Sequence, residues 1–195
     1  MNEGTIIFVL VLVHENITAS MVARASRLCG MSFKLFHSRR QAFCVQLFTT
    51  YIKPKLEYCS VIWNPTSKGL SDLVEKVQRR YTKRIPRMSG YSNEERLRIL
   101  GLPTLANGRA YFDAALVCKL LQSRLPVDSS KLGINIISRG DRSRCCTLRV
   151  TRLSATRHAS IIPFRVIKTF NALPSYRRMR LNQTFLSKLK FHYKL

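Results

Sequence analysis

From His14 to Lys34 the apolar residues Ile17, Met21, Ala25 and Leu28 recur at spacings of four, four and three. That is the period of one helix face, and Gly30 stands where such a helix ends. Ser38 to Trp63 predicts a second amphipathic helix, with Phe43, Leu47, Tyr51 and Ile52 on one side. Pro54 must kink or restart it, because a proline removes a helical hydrogen bond and crowds the preceding turn. Asn64 to Gly69 reads as a turn, after which Ser71 and Asp72 open a third helix that Pro86 stops.

The third helix has two faces. Leu70, Leu73, Val74, Val77, Tyr81 and Ile85 share one, while Lys76, Arg79, Arg80, Lys83 and Arg87 share another. At 100° per residue the two centres lie roughly 130° apart, so one side can pack while the other meets solvent or phosphate. Asp72 and Glu75 near the start and bases toward the end also suit the helix dipole, although five bases exceed what the dipole calls for.

Beyond Gly90, Asn93 to Leu100 predicts a short helix ended by Gly101, and Leu105 to Arg124 a longer one closed by Pro126. Pro126 to Ser143 reads as a connecting loop with an apolar patch at Leu132, Ile134, Ile136 and Ile137. Leu148 to Leu153 predicts a strand, Phe164 to Leu173 a helix stopped by Pro174, and Asn182 to Phe191 a last helix. Phe170, Phe185, Phe191 and Tyr193 could stack on unpaired bases, but their helical spacing favours a core role. Ile6 to Val13 is the greasiest run and reads as a buried strand; eight residues cannot cross a hydrocarbon layer of roughly 30 Å as a helix. The pattern as a whole predicts a mainly α fold.

Charge narrows the function. The 195 residues carry 34 Lys and Arg against 10 Asp and Glu, a formal net charge of +24. Such an imbalance is foreign to an ordinary metabolic enzyme and expected of a protein that sits on phosphates or acidic lipid. Residues 1–23 contain no Lys or Arg, whereas the stretch after Asp141 holds 13 and no acid. The six cysteines form no C-x-x-C pair, so zinc-finger spacing is absent and reduced core thiols are expected. Glu3 replaces the basic start of a signal peptide, which points to an intracellular protein, nuclear or cytoplasmic and not secreted.

Candidate chemistry is sparse. There is no Gly-rich phosphate loop, no G-x-S-x-G and no H-E-x-x-H, and His14, His37, His158 and His192 are scattered. Two-metal phosphoryl transfer needs clustered carboxylates, and the only neighbouring pair, Glu94-Glu95, is explained by a helix start. No catalytic residue, metal, cofactor or small-molecule substrate is therefore assigned.

Six strings in order carry a resemblance: Tyr51 to Tyr58 (YIKPKLEY), Val61 to Pro65 (VIWNP), Leu73 to Arg80 (LVEKVQRR), Glu94 to Leu97 (EERL), Leu100 to Leu105 (LGLPTL) and Phe170 to Pro174 (FNALP). Together with Phe185 to Leu189 they resemble the region after the polymerase palm in jockey-type non-LTR retrotransposon reverse transcriptases. The similarity runs from about His14 to Lys190. Phe170 stands in place of the usual Trp, Gly108-Arg109 where paired arginines are common, and Ser92-Asn93 in an altered Y-E-E-R-L. The family's palm aspartates and endonuclease residues match nothing here.

The resemblance implies a truncated, non-catalytic piece of an RNA-directed DNA polymerase. Residues 14–90 would be a thumb-like helical bundle and 91–125 a helical extension. An apolar remnant (1–13), a linker (126–143) and a small basic, mostly helical C-terminal region (144–195) complete the expected division. Its partners would be RNA, DNA or their hybrid, and the absent palm, with Lys76, Arg79, Arg80, Lys83 and Arg87 meeting backbone phosphates. The rival from another class is a membrane-surface or scaffold protein standing on Ile6 to Val13 and its basic tail. A decayed copy with no function of its own is the third reading.

Overall fold

In the computed structural model, residues 3–38, 40–65, 67–121, 134–138, 146–150, 161–173 and 183–193 are described. Among the described residues the chain is mainly helical, with one short two-stranded sheet. Helix α1 spans Glu3–Leu35, so Ile6 to Val13 is helical and not the expected strand. A run of Leu, Ile and Val suits either conformation, and the helix that continues beyond it decides the outcome. Gly30 lies inside α1 rather than at its end. The buried side of the described part of this helix runs through Thr18, Ala25, Cys29 and Phe33, leaving Ile17 exposed.

The expected second helix runs in helical backbone from Gln41 to Glu57, with a π turn just ahead of Pro54, and ends at Tyr58 and Cys59. Helix α2 (Gln41–Leu47) opens into a π turn (Phe48–Ile52), then α3 (Lys53–Glu57) starts with the proline in its first turn. Lys53 N–H bonds to the Phe48 carbonyl, the wider spacing of a π turn. The widening carries the buried line through Phe48, Ile52 and Leu56 at intervals of four and turns Tyr51 out to 62% exposure. Cys59, in left-handed backbone at φ 51°, ends that segment before the single turn α4 (Ser60–Trp63). The Trp63 indole donates to the Tyr58 carbonyl at 2.7 Å and is otherwise buried.

Helix α5 (Lys68–Lys83) is capped by Ser67, whose Oγ accepts from the Leu70 amide. The expected cap, Ser71, lies one turn inside and accepts instead from Arg109. Helix α6 (Asn93–Leu100) has the predicted bounds, set by a reciprocal capping box between Ser92 and Glu95. Gly101 at φ 65° closes it in a Schellman turn, with Leu102 N–H bonded to the Leu97 carbonyl. Helix α7 spans Leu105–Leu121.

The chain divides into two compact units, one of residues 8–109 and one of residues 1–7 with 110–195. The first has a single apolar core from Ala25 through Phe48, Leu56, Trp63 and Tyr81 to Leu97 and Leu105. Tyr81 is central: its ring lies 4.9 Å from Phe33 and 5.1 Å from Phe48, and its hydroxyl donates to the Cys44 carbonyl. Burial pushes its phenol up to about 12.

In the second unit, strands β1 (Ile134–Ser138) and β2 (Cys146–Val150) pair antiparallel, Ile136 opposite Leu148. Residues 134–138 therefore form a strand where a loop was expected, since alternation alone is a weak signal over five residues. Helices α8 (Ile161–Asn171) and α9 (Gln183–His192) follow. Asp113 of α7, almost fully buried, holds the Arg165 guanidinium of α8 through both carboxylate oxygens, at 3.1 and 3.3 Å. Phe170 and Leu189 are core residues, whereas Phe191 is 82% exposed. Pro126, Leu132, Pro174 and the side chains of Cys145, Cys146 and Phe185 lie outside the described residues, as do eight of the 13 basic residues after Asp141.

Candidate nucleic-acid interface

Helix α5 buries Val74, Val77, Gln78, Tyr81 and Thr82. Leu73 is 41% exposed and Leu70 half-buried, so two residues expected in the core sit at its margin. Two polar residues replace them because each finds partners: Gln78 donates to the Pro103 carbonyl at 2.8 Å, and Thr82 donates to the Gln78 carbonyl. With this corrected set, the buried and cationic faces lie roughly 180° apart, wider than the expected separation.

On the outer face Lys76, Arg80 and Lys83 are exposed. Arg79 is half-buried and folds back to donate to the Asp72 carbonyl at 3.1 Å. Arg87 does not continue the stripe: it lies past Pro86, in left-handed backbone at φ 66°, exposed but off the helix. The N-terminal end of the face carries one acid, Asp72, which lines a shallow depression of about 340 Å³ with Gly69, Leu73, Lys76 and Arg79. Toward Lys83 the face is purely positive.

Two other acids, Glu75 and Glu57, are engaged elsewhere. Glu75 accepts from Arg109 at 3.3 Å, and Glu57 pairs with Lys53 at 3.7 Å. Among the described residues Lys76, Arg80 and Lys83 form no ion pair, so their charge is left to solvent or a ligand. Other arginines are structural. Arg109, 2% exposed, donates to Asn64, Ser71 and Glu75 and ties the start of α7 to α5 and the turn before it. Arg96 of the EERL string is buried against the Tyr91 carbonyl, Asn93 and Thr82.

Glu57 packs its carboxylate against Gly108, where any β-carbon would overlap it. A larger residue at 108 would displace that carboxylate. Burial raises the Glu57 carboxyl above its ordinary value, partly offset by Lys53 and Arg109. Arg84, which the periodicity did not place on the stripe, is exposed and holds its guanidinium 4.5 Å from the Phe33 ring centre. Only the packing of α1 on α5 reveals that position.

Cys29, Cys44 and Cys118 are buried, and burial pushes the Cys29 thiol up to about 12, so it stays protonated. Cys59 is free but exposed, contrary to the expected core position. Among the described residues no group of three His, Cys, Asp or Glu could hold a metal ion, and no helix is long and apolar enough to cross a membrane. No protein-family model, curated protein or solved structure matches the chain.

Proposed function

We propose that the chain is a non-catalytic nucleic-acid-binding module that grips backbone phosphates through the outer face of α5. The observation that carries this reading is the exposure of Lys76, Arg80 and Lys83 opposite a buried face, with no carboxylate partner among the described residues. The net charge of +24 supplies long-range attraction for a polyanion. The ordered resemblance to the post-palm region of non-LTR reverse transcriptases supports the same reading, with RNA, DNA or their hybrid as ligand and the palm as a protein partner. In this role the chain positions a strand and makes or breaks no bond itself. Contacts are to phosphates, so affinity is insensitive to base sequence.

The test is charge reversal of Lys76, Arg79, Arg80 and Lys83 to Glu in the full chain. Electrophoretic shift with RNA, with DNA and with their hybrid should be lost while circular dichroism stays helical. Unchanged affinity would remove α5 as the site. Sedimentation with anionic vesicles, before and after deletion of residues 1–13, separates the membrane reading: binding that depends on that segment would favour lipid.

A further inference from the structure

Two segments far apart in sequence come together at the C-terminal end of α5. Gln41 Nε2 donates to the Pro86 carbonyl at 3.2 Å, and Phe33 touches both Tyr81 and the Arg84 guanidinium. The turn between α1 and α2 is thereby fastened beside the turn that follows α5. Lys34 and Arg40 from the first, and Lys83, Arg84 and Arg87 from the second, are all exposed. Neither segment, 33–41 or 83–91, contains an acid. Within this cluster Phe36 keeps 42% of its surface open, and its ring is held edge-on against Phe43 at 5.5 Å.

A large aromatic held in place among cations is what an unpaired base requires. Its π-face gains by stacking, while the flanking charges neutralise the phosphates on either side. A duplex keeps its bases paired and can use only the cations. Resting on the phosphate-binding role proposed for α5, we infer that the surface continues onto the α1–α2 turn, where an unpaired nucleotide base stacks on Phe36. The preferred ligand is then a single strand, or a duplex with a single-stranded overhang. Lys83 and Arg84 join the two halves of the surface.

The test measures fluorescence anisotropy of the full chain with a labelled oligouridylate of about twelve nucleotides and with a blunt RNA–DNA duplex of equal length. Phe36→Leu keeps an apolar side chain but removes the ring. It should weaken single-strand binding roughly 5- to 150-fold and leave the duplex within about twofold. Phe36→Trp preserves stacking and should bind the single strand at least as tightly as the natural chain. Equal effects on both ligands, no effect on the single strand, or a loss with Trp matching that with Leu would overturn the inference. The α5 charge-reversal variant separates the two proposals. If it loses both ligands while Phe36→Leu loses neither, the stacking site is wrong and the phosphate grip stands. If neither variant changes either affinity, both fail.

Discussion

Replacing Arg109 by Met removes the buried cation that fastens the first turn of α7 to the start of α5. The side chain is 2% exposed and donates at 3.0 Å to Asn64, 3.2 Å to Ser71 and 3.3 Å to Glu75. Breaking a buried pair from one side costs about 3–5 kcal/mol, because the remaining partner keeps its charge without compensation. Glu75 is 18% exposed and can recruit water, which places the expected cost near the lower end, about 3 kcal/mol. With a urea m-value of about 2 kcal/mol/M, the midpoint should fall by roughly 1.5 M.

The readout is built in. Trp63 is the only tryptophan, it is buried, and its neighbour Asn64 accepts the Arg109 bond, so indole emission reports this corner directly. Unfolding followed by that emission and by helical dichroism should show the same loss. Arg109→Met combined with Glu75→Met should recover about 1–3 kcal/mol relative to the sum of the single changes, since the stranded carboxylate is gone. A midpoint shift below about 0.5 M, or strict additivity in the double variant, would refute the reasoning.

Three further outcomes follow from the geometry. Ser92→Ala should cost about 1 kcal/mol by opening the α6 capping box, measured by chemical denaturation at neutral pH. Hydrogen bonding from Ser92 holds the Glu95 carboxyl below its ordinary 4.5, so the cap's stabilisation is present above that pH and lost as pH falls through the lowered value. Glu57 has the opposite sign: burial raises its carboxyl above 4.5, so the chain loses stability as pH rises from 4.5 through the raised value. Glu57→Gln should flatten that segment of the stability profile, and an unchanged slope would contradict it. Tyr81→Phe keeps the ring contacts with Phe33 and Phe48 but removes the bond to the Cys44 carbonyl, for about 1 kcal/mol in the same denaturation assay.

What was legible in the sequence was local. Ser92, Glu95 and Gly101 lie within ten residues and specify both ends of α6 by short-range hydrogen bonds, so its bounds were readable. Lys76, Arg80 and Lys83 follow helical spacing and need no distant partner to be exposed. The pattern fails where tertiary contacts override it. Gln78 and Thr82 are buried in place of Leu73 because the Pro103 carbonyl and the α5 backbone satisfy them. Tyr51 is exposed because the π turn at Phe48–Ile52 sets the buried line on Phe48, Ile52 and Leu56. The burial of Arg109 has the same cause: its partners Asn64 and Ser71 lie 45 and 38 residues away. Phe36 and Arg84 gained meaning only when the fold brought their turns together.

The central claim is that the outer face of α5 neutralises phosphates, and its most direct test is the salt dependence of binding. For the natural chain, log Kobs against log salt should slope at roughly −3 to −4.5, four or five phosphates being neutralised, with the shallower values for single strands. Changing Lys76, Arg79, Arg80 and Lys83 to Gln should flatten that slope by roughly three. An unchanged slope in a variant that remains helical would contradict the account.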